Sequence, residues 1–119
     1  MEGPDMKIDR SQNIRKSPVE AGGAEGVGVR WLIGEQDGAE NFAMRMFELE
    51  VGGYTPLHSH PHEHEVFVLE GEGVVTDEGR ERPIGPEDVV FVPGDTEHNF
   101  RNTGDSTLRF LCLVPMSAV

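Results

Sequence analysis

Short β-type runs, each closed by turn residues, constrain the fold of this chain more than any other feature. The runs are rich in valine and phenylalanine, and glycine, proline, asparagine or aspartate bounds them. They cover residues 27–33, 66–69, 73–76, 89–92, 99–102 and 108–114. Runs of this kind are typical of an all-β sandwich or barrel. The segment 102–105 (NTGD) in addition predicts a hairpin turn.

Residues 41–51 fit two patterns. Phe42, Met46 and Leu49 recur at helical spacing. Phe47, Leu49 and Val51 instead alternate as in a strand. Because no other part of the chain has a helical pattern, we expect a strand here.

The length and charge of the chain limit its organisation and its partners. A chain of 119 residues fits one compact domain. We expect residues 27–119 to form the barrel domain. Residues 1–26 are polar and rich in glycine, which predicts an irregular arm or an edge strand that crosses to a second subunit. Acidic side chains outnumber basic ones by 22 to 10, which argues against nucleic acid and anionic membranes as partners.

The sequence also gives an expectation for the compartment. No apolar stretch approaches the roughly 18 residues that a membrane span needs, and the first residues lack the apolar core of a signal peptide. The single cysteine, Cys112, cannot form an internal disulfide, so we expect a cytoplasmic protein. Cys112 lies in an apolar run and is expected to be a buried core side chain.

The histidines are clustered. Four of the five lie within residues 58–64, and the fifth is His98. Residues two apart on a strand project from the same face, so His58 and His60 can direct both rings at one ion. Neutral imidazole is the commonest protein ligand for metals. A solvated histidine-rich loop is the alternative.

At these residues the sequence resembles the cupin superfamily. Its first motif is matched by Gly52, His58, His60 and Gly71 in spacing, with His64 where most cupins have glutamate. Its second motif is matched by Pro93, His98 and Asn102, with Glu87 and Asp95 in place of two glycines. The resemblance implies a single-domain, all-β jelly-roll barrel. The all-histidine variant looks like a subgroup of small single-domain bacterial cupins that bind a divalent metal through four histidines.

Carried over residue by residue, the resemblance implies one metal held by the histidine quartet, defined here as His58, His60, His64 and His98. Four neutral imidazoles offset none of a divalent charge, so the ion should prefer an anionic or oxygenated small ligand. If the ion is octahedral, two positions stay open for that ligand. Manganese is the first expectation, with iron, nickel, cobalt or zinc as alternatives.

Further candidates surround the quartet. Phe100, Met46 and Tyr54 are expected to line a substrate pocket, and Arg45 is a possible substrate contact. Glu65 and Glu97 are candidate acceptors for ligand imidazoles. We expect His62 to be exposed, with a proton-shuttle role as the alternative. No catalytic residue can be assigned.

Two functions follow from the resemblance and the quartet. One is a metal-dependent dioxygenase, lyase or isomerase acting on a small compound. The other is a metal-dependent module that binds a carboxylate or sugar without converting it. Uncovered sheet edges and the N-terminal arm predict a homodimer.

Overall fold

The computed structural model describes residues 5–119, which form nine β-strands and three short 3₁₀ turns. The strands are β1 (Lys16–Pro18), β2 (Glu25–Ile33), β3 (Phe42–Tyr54), β4 (His64–Glu70), β5 (Gly73–Asp77), β6 (Arg80–Ile84), β7 (Val89–Val92), β8 (His98–Asn102) and β9 (Leu108–Pro115). The 3₁₀ turns cover Ser11–Asn13, Glu35–Asp37 and Met116–Ala118. The all-β prediction is confirmed, and each predicted run lies within a strand.

One antiparallel sheet curls into a half-barrel. Its strand order is β6-β5-β8-β3-β9-β4-β7, with β2 also paired to β3 and β1 to β2. The 13-residue strand β3 pairs with β9 along Phe42–Leu49 and with β8 at Tyr54. Strand β3 thus joins the two halves of the sheet, and the curl of the sheet brings the ring of His64, at the start of β4, to 5.3 Å from that of His98, at the start of β8.

Strand β9 shows how the sequence builds the core. Leu108, Phe110, Cys112 and Val114 are buried, and the residues between them are partly exposed. This alternation follows from the two-residue period of a strand. The remaining core side chains come from the inward faces of the other strands: Val27, Ala43, Leu49, Val66, Val68, Val75, Ile84, Val92 and Phe100. Cys112 is therefore buried, as expected.

One strand, β6, was not expected from the sequence, and the edge strand offered as an alternative for the arm has a different partner from the one expected. β6 is charged and contains Pro83, and it lies at the end of the sheet order, paired with β5. Sheet edges tolerate proline and charge, which is why the sequence lacks a strand signal there. β1 lies within the expected arm and pairs with β2 of the same chain. The arm's first residues, 1–4, lie outside the described residues.

Across residues 5–119, no helix combines the length and the apolar character that crossing a membrane requires.

Candidate metal centre and its cavity

The strand ends and one loop bring the histidine quartet together. His64 begins β4 and His98 begins β8. His58 lies on the connection between β3 and β4 and forms an isolated bridge with His98. Their backbones exchange two hydrogen bonds: the N–H of His98 donates at 3.0 Å, and that of His58 at 3.2 Å.

The same loop is fastened to the connection between β7 and β8. The Asp95 N–H donates to the His60 carbonyl at 2.7 Å. Gly94 faces the Pro61 carbonyl so closely that a Cβ at this position would collide with it. Loop 58–63 therefore has a fixed position relative to His98.

The imidazole rings of the quartet converge. Ring centroids lie 4.9 Å apart for His58 and His60, 5.1 Å for His60 and His98, and 4.5 Å for His60 and His64. The Nε2 atoms of His60 and His64 are 2.8 Å apart. Donor atoms of His58, His60 and His98 all lie within 4.8 Å of one another, as do those of His60, His62 and His64.

Backbone carbonyls orient three of these rings. Nδ1 of His58 lies 2.8 Å from the Pro56 oxygen, and Nδ1 of His98 lies 2.8 Å from the Thr96 oxygen. Nδ1 of His60 lies 3.0 Å from the carbonyl oxygen of His62. A carbonyl only accepts, so each Nδ1 carries the proton and each Nε2 keeps its lone pair. Such a partner fixes the tautomer in metal-binding histidines.

His64 has a different environment. Its Nδ1 lies 3.4 Å from Nη2 of Arg45 and 3.3 Å from Sγ of Cys112. Arginine only donates, so in this arrangement His64 accepts at Nδ1 and donates from Nε2 to His60. Burial and the adjacent Arg45 charge lower the pKa of His64 to about 3. Burial also lowers the pKa of His98. Both imidazoles are thus neutral at pH 7, the form that binds metals.

A cavity of about 450 Å³ opens beside the quartet. Its walls carry Trp31, Phe47, Phe100 and Phe110, together with smaller apolar side chains. All five histidines and Arg45 also line it, whereas no aspartate or glutamate of the described chain does. In a protein with a net charge of −12, this cavity has only basic and neutral side chains.

The sequence predictions for individual side chains meet different outcomes. Phe100 lines the cavity with His98, as its two-residue spacing suggested. Met46 is buried but does not line the cavity. Its sequence neighbours Arg45 and Phe47 do line it, and because side chains alternate along a strand, Met46 faces the opposite side of β3. Tyr54 is outside the cavity lining, and its hydroxyl donates to Glu25 at 3.1 Å.

The flanking residues differ from expectation as well. The backbone carbonyls described above, rather than Glu65 or Glu97, accept from the imidazoles of His58, His60 and His98. The expectation that His62 is exposed is wrong, because its ring stacks on His60 at 3.8 Å and lines the cavity. Cys112 also lines the cavity, which its position in an apolar run did not reveal. Arg45, which the sequence offered as a possible substrate contact, does line the cavity, on the same face of β3 as Phe47.

Comparison with known proteins identifies related chains. A family model described as a cupin domain matches residues 45–114. The polyketide cyclase RemF from Streptomyces resistomycificus superposes with a TM-score of 0.90 at 34% identity, over 94% of this chain and 80% of that chain. These matches confirm the predicted single-domain jelly-roll barrel.

Two curated relatives share parts of the sequence. A 1-methylthio-D-xylulose 5-phosphate methylsulfurylase from Rhodospirillum rubrum is 38% identical over 71 residues, covering 60% of this chain and 46% of that protein. An oxalate-binding protein from Thermotoga maritima is 38% identical over 68 residues, covering 56% of each chain. This chain thus spans about half the length of these two relatives.

Proposed function

The chain belongs to the cupin family, and we propose that its histidine quartet holds one divalent transition metal that serves the conversion of a small oxygenated ligand in the adjacent cavity. The observation that carries the proposal is the convergence of four imidazoles at the wall of an aromatic cavity. Three of these rings already have the tautomer that metal binding through Nε2 requires.

The spacing of the nitrogens suits such an ion. Two nitrogens about 2.0–2.1 Å from one ion lie about 2.9 Å apart at a right angle and about 3.4 Å apart in a tetrahedron. Nε2 of His60 and Nε2 of His64 lie 2.8 Å apart, at hydrogen-bond distance, which is near these separations and supports both nitrogens reaching one ion. We favour manganese, iron, cobalt or nickel, because four imidazoles on an octahedral ion would leave two positions open for the ligand, whereas a tetrahedral zinc site would be closed.

His64 changes its proton position when it takes part in this site. Metal binding at Nε2 requires the proton at Nδ1, where Sγ of Cys112, 3.3 Å away, is the acceptor. The Arg45 guanidinium can no longer donate to Nδ1 in that tautomer. Cys112 and Arg45 therefore act on the site through His64.

The cavity indicates the kind of ligand. A volume of about 450 Å³ is within the usual range for small-molecule sites. Trp31, Phe47 and Phe100 offer flat apolar faces to an unsaturated ligand and exclude water from it. A bound divalent ion would supply a Lewis acid that stabilises negative charge on a carbonyl or carboxylate oxygen. The similarity to a polyketide cyclase supports a ligand with several carbonyl groups, so enolisation is the reaction class that we favour. The α-proton would pass to the His62 imidazole, which lines the cavity outside the quartet.

Hydrogen–deuterium exchange tests this function. Metal-loaded protein is incubated in D₂O with a panel of aryl 1,3-diketones and 2-oxo acids, and loss of the α-proton signal is followed by ¹H NMR. The proposal predicts exchange above the buffer rate that disappears in the H98A variant. Exchange at the buffer rate for every compound, with binding retained, would reject the enzymatic function.

Binding without conversion is the second candidate. It is favoured by the cavity lining, since no carboxylate of residues 5–119 is placed there to act as a base. The similarity to an oxalate-binding protein points the same way. Oxalate that binds to the metal-loaded protein and is recovered unchanged would support this function.

The expected homodimer belongs with these proposals. β7 ends the sheet order, and its outward side chains Val89 and Phe91 are 77% and 57% exposed. Phe67, on the neighbouring strand β4, extends this apolar surface. Light scattering coupled to size-exclusion chromatography would show twice the chain mass for a dimer, and the V89E/F91E double variant should elute as a monomer.

A further inference from the structure

We propose that Arg45 is the specificity-determining residue of the cavity and that it pairs with an anionic oxygen group of the ligand, most simply a carboxylate. The inference deepens the proposed function, because it names the charge of the ligand that the same cavity receives. It depends on access to the cavity and on the guanidinium.

Strand pairing sets the position of Arg45. It lies opposite Trp31 of β2 and opposite Cys112 of β9 in the strand register. Its guanidinium carbon is 5.5 Å from the centroid of the Trp31 ring and 4.9 Å from that of Phe47. Cation–π contacts with two aromatic rings hold the guanidinium in the cavity wall while its N–H groups stay available for hydrogen bonds.

The charge of Arg45 has no counterpart among residues 5–119. Its Nε is buried and has no hydrogen-bond partner. Its recorded hydrogen bonds come from Nη2, which contacts the weak acceptor Cys112 Sγ at 3.2 Å and the His64 ring. Five arginines elsewhere in the described chain pair with carboxylates: Arg30, Arg80, Arg82, Arg101 and Arg109.

An anionic ligand would provide the opposite charge that Arg45 lacks. A partly buried cation without a carboxylate partner destabilises a fold unless some other group offsets its desolvation. A guanidinium offers five N–H donors in a planar fork that matches a carboxylate. Because Nη2 lies 3.4 Å from His64, an anion bound to Arg45 would also lie next to the quartet. The ligand class is thus a carboxylate, or an enolate of similar charge, attached to a flat apolar body.

The single tryptophan of the chain provides the assay. Trp31 lines the cavity beside Arg45, so its fluorescence reports occupancy without contributions from other tryptophans. The probes are benzoate and benzamide, which have nearly the same shape and differ in charge. Wild type, R45M and R45K are titrated with both probes, in the metal-loaded and the EDTA-treated protein. R80M is the control, because Arg80 lies on β6 with a 75% exposed side chain.

We expect wild type and R80M to prefer benzoate to benzamide. R45M should bind benzoate about 10- to 100-fold more weakly and benzamide unchanged. R45K keeps the charge without the planar guanidinium, so its affinity for benzoate should lie between those of wild type and R45M. If R45M does not fold, the comparison of R45K with wild type still tests the inference. Equal affinity of wild type for the two probes, no benzoate binding by wild type, or unchanged benzoate binding by R45M would each overturn the inference.

Metal analysis separates this inference from the proposed function. If R45M retains the metal content of wild type and loses benzoate, Arg45 selects the ligand and leaves the site intact. A protein that binds no metal but still requires Arg45 for benzoate in EDTA would refute the metal proposal while supporting this one.

Discussion

Replacing Asn102 by aspartate is expected to destabilise the fold strongly. The Asn102 side chain is 2% exposed and lies at the end of β8, the strand that carries His98 and Phe100. Its Nδ2 donates to the Leu49 carbonyl at 2.9 Å and to the Ser106 carbonyl at 2.8 Å. Its Oδ1 accepts from the Gly104 N–H at 2.9 Å.

The aspartate keeps the acceptor and loses both donors. Each lost hydrogen bond lowers the free energy of unfolding by about 1 kcal/mol, and a buried carboxylate oxygen that faces two carbonyls lowers it by about 1–3 kcal/mol more. The free energy of unfolding of N102D should therefore be lower than that of wild type by about 3 kcal/mol or more. Urea unfolding of the EDTA-treated protein measures this loss. N99D is the matched control, because half-buried Asn99 donates one hydrogen bond, to the Thr55 carbonyl at 3.2 Å. The free energy of unfolding of N99D should fall by about 1 kcal/mol. A loss in N102D no larger than that in N99D would refute the reasoning.

Three other perturbations test the site and the turns. H98A should lose the metal during dialysis while H62A keeps it, as measured by inductively coupled plasma mass spectrometry; equal retention would remove His98 from the ligand set. For His64, with a pKa of about 3 against an ordinary 6.5, the unfolded chain binds more protons between these values. The free energy of unfolding of metal-free protein should therefore fall as the pH drops below 6.5, by up to about 1.4 kcal/mol per unit, and H64Q should show a shallower slope in urea unfolding. Gly71 and Gly52 both have positive φ, 87° and 80°, but a Cβ at Gly71 would collide with the Thr107 carbonyl, whereas Gly52 faces open space. G52A should lower the free energy of unfolding by about 1–2 kcal/mol, and G71A should lower it clearly more. Thermal unfolding measures the difference, and similar melting temperatures of the two variants would contradict this account.

The strands could be predicted from local patterns, whereas the choice of the quartet came from the resemblance to cupins. Valine-rich runs between turn residues mark strands. The expectation that strand parity aligns His58 and His60 is wrong, because both lie in the connection between β3 and β4, which contacts to His98 and Asp95 hold in place. The segment 41–51 was ambiguous in isolation, and nearly all of it became part of strand β3 because β2, β8 and β9 all pair with that strand.

Other features depend on contacts between distant parts of the chain. The predicted hairpin at 102–105 is wrong: the turn joins β8 to β9, which pair with other strands of the sheet. The local hydrogen bonding of a turn is present, since Asn102 accepts from the Gly104 N–H. It fixes the change in chain direction but does not determine which strands β8 and β9 pair with. The contact of Cys112 with His64 likewise requires pairing between β4 and β9, which no local pattern encodes.

X-ray absorption spectroscopy tests the central claim most directly. The protein is purified without added metal and without nickel resin, and the spectrum is recorded at the edge of whichever metal it contains. We predict one metal per chain, with a shell of nitrogen and oxygen and the multiple scattering of four imidazole rings. A chain without metal, or a metal bound by fewer imidazoles than the quartet provides, would contradict the proposal.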